Sequence, residues 1–197
     1  MQWAIINGET TTGGTVMHLV KKMDAGDVIR QRAEPVRPDD TGGTLEARLA
    51  AMGAELVVEA IRALESGTAP RTPQDHGEAT FAPKLTKEQG LINWTLPAEA
   101  IERRVRAFIP WPVAHTFVPA PGGPKLLRVL GAAVVDGALA PGRVSVEHKA
   151  LHVGSGAGVL ELQRVQLEGK REMTAAEFLV GYRPPEDATF GGPQGDT

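Results

Sequence analysis

Apolar and polar residues follow different rhythms in different parts of this chain. Between Thr15 and Ile29, two apolar runs (Val16, Met17, Leu19 and Val20, then Val28 and Ile29) flank the polar turn Asp24-Ala25-Gly26-Asp27. Such runs read as two strands, here 15–20 and 28–36, the second ending before Pro38. From Leu45 the spacing lengthens. Leu45, Leu49, Met52, Leu56, Ala60, Ile61 and Leu64 recur every three to five residues, a helical stripe facing a core. Asp39-Asp40-Thr41 offers N-caps and Gly67 a stop, while Gly53 interrupts the pattern, so two helices or one kinked helix are expected.

The remaining pattern divides the chain further. Residues 1–8 resemble the last turns of a helix closed by Gly8, with Trp3, Ile5 and Ile6 as its apolar side. Such a helix has no lead-in, as expected of a helix cut open. Residues 67–90 carry three prolines and little periodicity, the composition of a linker. Ile101, Val105 and Phe108 share one helical face behind Pro97, and Pro110 and Pro112 forbid its continuation. Short β-like runs follow at 113–118, 125–130, 132–136, 143–148, 150–153 and 159–166. Gly-rich turns separate them, which predicts a small antiparallel barrel. A short helix with Phe178 and Leu179 closes the unit, and 184–197 is expected to be a disordered tail. The resulting divisions are 1–66, a linker at 67–90, 91–183 and the tail.

Composition narrows the class. The chain has 197 residues, of which 42% are hydrophobic and 23% charged, which is ordinary for a folded soluble protein. No apolar run has the length of a membrane helix, and no signal peptide is visible, so a cytoplasmic protein without a membrane partner is expected. Without cysteine there is no disulfide framework or thiolate metal site. The five histidines lack metal-ligand spacing, so no metal is expected. No Walker loop, dinucleotide fingerprint or serine nucleophile elbow occurs. Charge is uneven: residues 1–98 carry 10 basic and 13 acidic side chains, and residues 99–183 carry 11 and 8. A mildly basic module behind an acidic one hints at a polyanionic partner, held mainly through phosphates. Arg103, Arg104, Arg106, Lys125, Arg128, Lys170 and Arg171 are its candidate cations, with Lys84 and Lys87 in the linker. A solvated surface explains the same charges without a partner.

Locally, Asp24 has two readings. Asp before a Gly-containing turn commonly bonds nearby amides and needs no further role. A carboxylate presented at the mouth of a sheet is also where chemistry is often done.

Several runs taken together resemble the methionyl-tRNA formyltransferase family. Gln2-Trp3-Ala4-Ile5-Ile6-Asn7-Gly8 with Thr11 and Gly14 looks like its helix-loop-strand, and Met23-Asp24-Ala25-Gly26-Asp27 like its Leu-Asp-Thr-Gly-Asp turn. Asp40-Thr41 with Leu45, Leu49 and Gly53 matches its next helix. Pro73-Gln74-Asp75, Lys84-Leu85-Thr86-Lys87-Glu88 and Ile92-Asn93-Trp94 match its linker. Arg106-Ala107-Phe108-Ile109-Pro110-Trp111-Pro112, Pro141-Gly142 and Gly169-Lys170-Arg171-Glu172-Met173 match its C-terminal domain. The likeness runs in order over about residues 2–183.

The resemblance implies an α/β plus β fold: part of a Rossmann-like formyltransferase domain, then an OB-like barrel that helps bind tRNA. It implies transfer of formyl from 10-formyltetrahydrofolate to the amine of methionyl-initiator tRNA, by an enzyme that is monomeric at full length. That chemistry uses an Asn, a His two positions later and the turn Asp, because the amine must lose a proton and the oxyanion needs donors. Asp24 occupies the position of that Asp. Met23, Gly26 and Asp27 fall at the folate, and Lys84, Lys87, Arg103, Arg106, Lys170 and Arg171 at the tRNA.

Two departures qualify the match. No Asn-x-His occurs in the 197 residues. Val20, Lys22 and Ala25 replace the family's Asp, Gly and Thr around the turn. The chain is therefore expected to be the later part of a formyltransferase and inactive alone. Other readings stand beside it. One is a related folate-dependent formyltransferase or hydrolase, such as one acting on a sugar-nucleotide amine. Another is a non-catalytic RNA-binding remnant, or a sequence with no surviving role.

Overall fold

The computed structural model describes residues 1–192; the end of the expected tail, 193–197, lies outside them. A short helix α1 (Gln2–Ile6) is closed by Gly8 in the left-handed region. Strands β1 (Thr11–Met17) and β2 (Val28–Pro35) then form an antiparallel ribbon. The first strand lies earlier than the apolar run suggested. Its hydrogen bonding starts in the Thr/Gly stretch, and Leu19 and Val20 fall outside it, Leu19 fully in solvent.

Helix α2 (Gly42–Glu65) is one unbroken element of 24 residues. Gly53 does not divide it, because a glycine inside a long helix costs only about 1 kcal/mol against its remaining hydrogen bonds. Thr41 caps it, its hydroxyl accepting from the Thr44 amide while the Thr44 hydroxyl accepts from the Thr41 amide. Leu45, Met52, Leu56, Ala60 and Ala63 are buried. Leu56 and Met52 reach Gly14 on β1, which leaves room for both. The register places Glu34, Arg32 and Arg30 on the ribbon face that meets the helix. Arg32 pairs with Glu55 and Glu59, and Arg48 with Glu34 and Asp40. Ile61 and Leu64, placed in the core stripe by spacing, are instead about half exposed.

Residues 67–90 run back along the ribbon. Thr72 exchanges backbone hydrogen bonds with Val28, and the Pro83 carbonyl accepts from the Trp3 indole at 2.7 Å. Helix α3 (Ala98–Ala107) follows Pro97 and stops short of Pro110.

The second half is a six-stranded antiparallel sheet of β3 (His115–Val118), β4 (Lys125–Val135), β5 (Val144–Glu147), β6 (Ala150–Gly154), β7 (Val159–Leu167) and β8 (Met173–Thr174). The strand order is β3-β4-β7-β6-β5, with β8 beside β7. The two runs expected at 125–130 and 132–136 are one strand, irregular at Gly131. Helix α4 (Ala175–Gly181) carries the buried Phe178 and is capped by Thr174 and Glu177.

The expected disordered tail is ordered as far as the description reaches. Gly191 exchanges backbone hydrogen bonds with Phe117 on one edge strand. Thr189 bridges Arg143 beside the other edge strand, and the Ala188 carbonyl accepts from Val144. One stretch of chain thus reaches both edges, so the sheet is curled, and Phe190 plugs it at 1% exposure. Low hydrophobicity around a single aromatic hid this, because two backbone ladders supply the order. One core joins both halves: Ile5, Ile6 and Leu45 belong to the same buried cluster as Trp94, Phe108, Leu127, Leu160 and Phe190.

Candidate functional site

The loop 18–27 between β1 and β2 carries Asp24, and four features fix its shape. Its base closes where the His18 amide donates to the Asp27 carbonyl at 2.9 Å. Gly26 sits so close to His18 that an added Cβ would lie 1.7 Å from the His18 carbonyl oxygen, so no side chain fits. Asp24 itself is in the left-handed region at φ 55, a conformation Asp tolerates better than most residues. The fourth feature comes from outside the loop. The Gln74 amide donates to the Asp24 carbonyl at 3.0 Å and to the Gly26 carbonyl at 2.7 Å.

Gln74 is the residue whose role sequence reasoning missed. It lies 50 positions from Asp24, and a glutamine in a Pro-rich segment gives no local sign of what its amide holds. The bridge between Val28 and Thr72 brings it there.

These features leave the Asp24 side chain exposed, without an ion pair or hydrogen bond among the described residues. Met23 beside it is 86% exposed. Asp27 is partly buried, 3.8 Å from Arg71. Asp24 lines an open groove of about 620 Å³ with Arg30, Gln31, Pro73, Asp75, His76 and Glu78 among its walls. His18 does not face Asp24's groove; its Nε2 lies 3.1 Å from the Pro70 carbonyl. Backbone and Gln74 therefore present a carboxylate to a groove, with no imidazole shown bonded to it.

The six expected phosphate-binding cations behave in two ways. Lys84, Lys87, Lys170 and Arg171 are exposed, Arg171 pairing with Glu177 at 3.1 Å. The Lys170 carbonyl accepts from Gln166, which also accepts from Arg128, so Arg128 is coupled to that turn. Arg103 and Arg106 are partly buried and engaged within the protein. Arg103 donates to the Ile6 carbonyl at 3.2 Å, and Arg106 binds Glu102 and the Asp40 carbonyl at 2.8 Å. They act as struts between α3 and the first half, a role their place in an Arg-rich run did not reveal.

At the start of α2, Asp40 is 3% exposed and receives two bonds from Arg48, one from the Arg37 amide and one from Thr44. The Arg48 guanidinium holds its carboxyl far below the usual carboxylate range, against the opposing effect of burial. In α4, the Thr174 amide and hydroxyl and Arg171 lower the Glu177 pKa. Burial raises the Tyr182 phenol to about 12. These groups lie outside the groove.

The chain as a whole is similar to known proteins. A family model described as formyl transferase, C-terminal domain, matches residues 84–183, and one described as formyl transferase matches residues 1–61. A methionyl-tRNA formyltransferase of Agathobacter rectalis is 40% identical over 96% of this chain and 61% of its own length. One from Koribacter versatilis is 43% identical over 93% of this chain and 58% of its own length. The chain thus spans about three-fifths of these relatives. HypX from Aquifex aeolicus, solved in complex with tetrahydrofolic acid, shares the fold at a TM-score of 0.62 and 22% identity, over 95% of this chain and 35% of its own. Among the described residues no helix is long and apolar enough to cross a membrane. With its C-terminal model covering just over half of the residues, the chain belongs to the formyl transferase family.

Proposed function

We propose that this chain is the later part of a methionyl-tRNA formyltransferase, contributing one catalytic carboxylate and a tRNA-facing module. The carrying observation is the Asp24 loop: a left-handed turn locked by Gly26 and Gln74, with its carboxylate free beside a groove. Identity of about 40% to named methionyl-tRNA formyltransferases over nearly the whole chain supports the same reading. Residues 1–66 form the end of a Rossmann-like catalytic unit, 67–90 its linker and 91–183 an OB-like unit. Residues 188–191 seal the latter's curled sheet.

In the reaction, the amine of methionyl-initiator tRNA attacks the formyl carbon of 10-formyltetrahydrofolate. The amine loses a proton, the bond from the formyl carbon to N10 breaks in the tetrahedral intermediate, and N10 takes up a proton as tetrahydrofolate leaves. Asp24 orients and charges the general base that takes that proton, and Met23, Gly26 and Asp27 line the folate. Lys84, Lys87, Lys170 and Arg171 meet phosphates, so affinity for tRNA falls as salt rises. Arg103 and Arg106 hold α3 in place, and their effect on tRNA passes through that positioning. No Asn-x-His occurs in the sequence, so the oxyanion donors and the base come from residues that this chain does not carry. The setting is the cytoplasm, and no metal is required.

Fusing this chain behind the part of the Koribacter versatilis relative that it does not match tests the reading. The chimera should formylate methionyl-tRNA, and Asp24→Asn should lower kcat by about 10³. The 197-residue chain alone should give no product. Formylation by the chain alone, or full activity in the Asp24→Asn chimera, would overturn the proposal.

A further inference from the structure

Helix α2 is apolar on two opposite sides. One side, with Leu45, Met52, Leu56, Ala60 and Ala63, is buried against the ribbon and the common core. The other carries Ala47, Ala50, Ala51, Ala54, Val57, Val58, Ile61 and Leu64, all exposed. At the helical period these eight residues fill a band about 140° wide, in which charges occur only at the helix ends, at Glu46 and Glu65. The charged residues Arg62 and Glu55 lie along one border, and Glu59 turns toward the ribbon, where it pairs with Arg32. Val57, Val58, Ile61 and Leu64 are each between 45% and 50% exposed. A helix that is apolar on two opposite sides belongs between two layers, and one layer is present among the described residues.

What covers the band is indicated by length. The two relatives carry about two-fifths of their sequence outside the span that this chain matches. The exposed apolar side chains are also concentrated near the Asp24 loop's half of the molecule, with Leu19 at 97%, Met23 at 86% and Phe81 at 92%. We infer that the Ala47–Leu64 band is a docking face for that remaining polypeptide of the catalytic unit, which would complete both the layer and the site around Asp24. The inference rests on the proposed function for the occupant's identity. Its test reads burial and not catalysis.

The chain has no cysteine, so a single introduced thiol reports on its own surroundings. Ile61→Cys and Val58→Cys would be labelled with a maleimide in the 197-residue chain and in the Koribacter chimera, and the modified peptide quantified by mass spectrometry. Lys149→Cys, in the turn between β5 and β6, serves as an exposed control. In the chain alone all three should react at similar rates, whatever the protein concentration. In the chimera the two α2 thiols should slow about 100-fold while Lys149→Cys stays fast. Unchanged labelling of the α2 thiols in the chimera would overturn the inference. So would slow, concentration-dependent labelling in the chain alone, which would assign the face to a second copy. An inactive chimera with protected α2 thiols would instead count against the role of Asp24 and leave the docking face standing.

Discussion

The two halves of the molecule solve the same problem to different degrees. From Leu85 onward most apolar residues are enclosed, with Val180 and Trp111 among the exposed exceptions: α3 and α4 lie on a curled six-stranded sheet, and Phe190 fills the gap between its edges. In the first half one helix packs on a two-stranded ribbon whose facing side is largely Arg30, Arg32 and Glu34, and the helix keeps a second apolar side in solvent. A two-stranded ribbon offers too little apolar surface to bury a helix all round. Ion pairs and the neighbouring core therefore hold the first half in place. The halves differ in how complete their layers are, and the candidate site sits on the less complete one.

The sharpest way to break this contrast is at its sealed end. Phe190→Ala should cost about 3–5 kcal/mol, the range for removing a buried aromatic, read as a lowered urea midpoint. The backbone bonds of Ala188, Phe190 and Gly191 to both sheet edges should loosen with it. A change below about 0.5 kcal/mol, the size expected at an unstructured surface position, would mean that 184–192 is the loose tail its composition predicts.

The junction between the halves comes next. Asp40 links the end of β2 to α2 through Arg48, and its carbonyl receives Arg106 from α3. Asp40→Asn leaves Arg48 with Glu34 as its remaining anionic partner and should cost about 2–4 kcal/mol near neutral pH. The folded-state pKa of Asp40 lies well below its unfolded value of about 3.9. Its stabilisation is therefore complete above about pH 4 and declines as pH falls toward the folded value. Parallel melts should show the gap between native and variant closing in that acid range. A gap that stays constant down to pH 2 would show that the carboxylate's charge is not what the junction uses.

Much of this was readable in the residues. The helical period of Leu45, Met52 and Leu56 gave α2, paired turn signals gave the antiparallel strands, and Gly26 marked the loop that presents Asp24. The failures share one cause, dependence on distant partners. Gly53 is tolerated because 24 residues of helix surround it. Ile61 and Leu64 fit a helical stripe, and spacing cannot say which of two stripes is covered. Phe190 is ordered by strands more than 40 residues away, and Gln74 acts across 50. Arg103 and Arg106 also bind the carbonyls of Ile6 and Asp40, which an Arg-rich run does not reveal.

The smallest expected effect is the most informative about the first half, because it separates the two sides of one helix. Leu56 is 1% exposed and touches the glycine of β1, so Leu56→Ala should cost about 2–5 kcal/mol. Ile61, five residues on and 49% exposed, fits the same apolar periodicity but lies on the other side of the helix. In the 197-residue chain Ile61→Lys should change stability by no more than about 0.5 kcal/mol, since a lysine there keeps its charge in water and suits a helix. Urea melts of the two variants side by side measure the difference. A loss at Ile61 comparable to that at Leu56 would mean that the second side is already covered in this chain, and the contrast between a closed and an open half would fail.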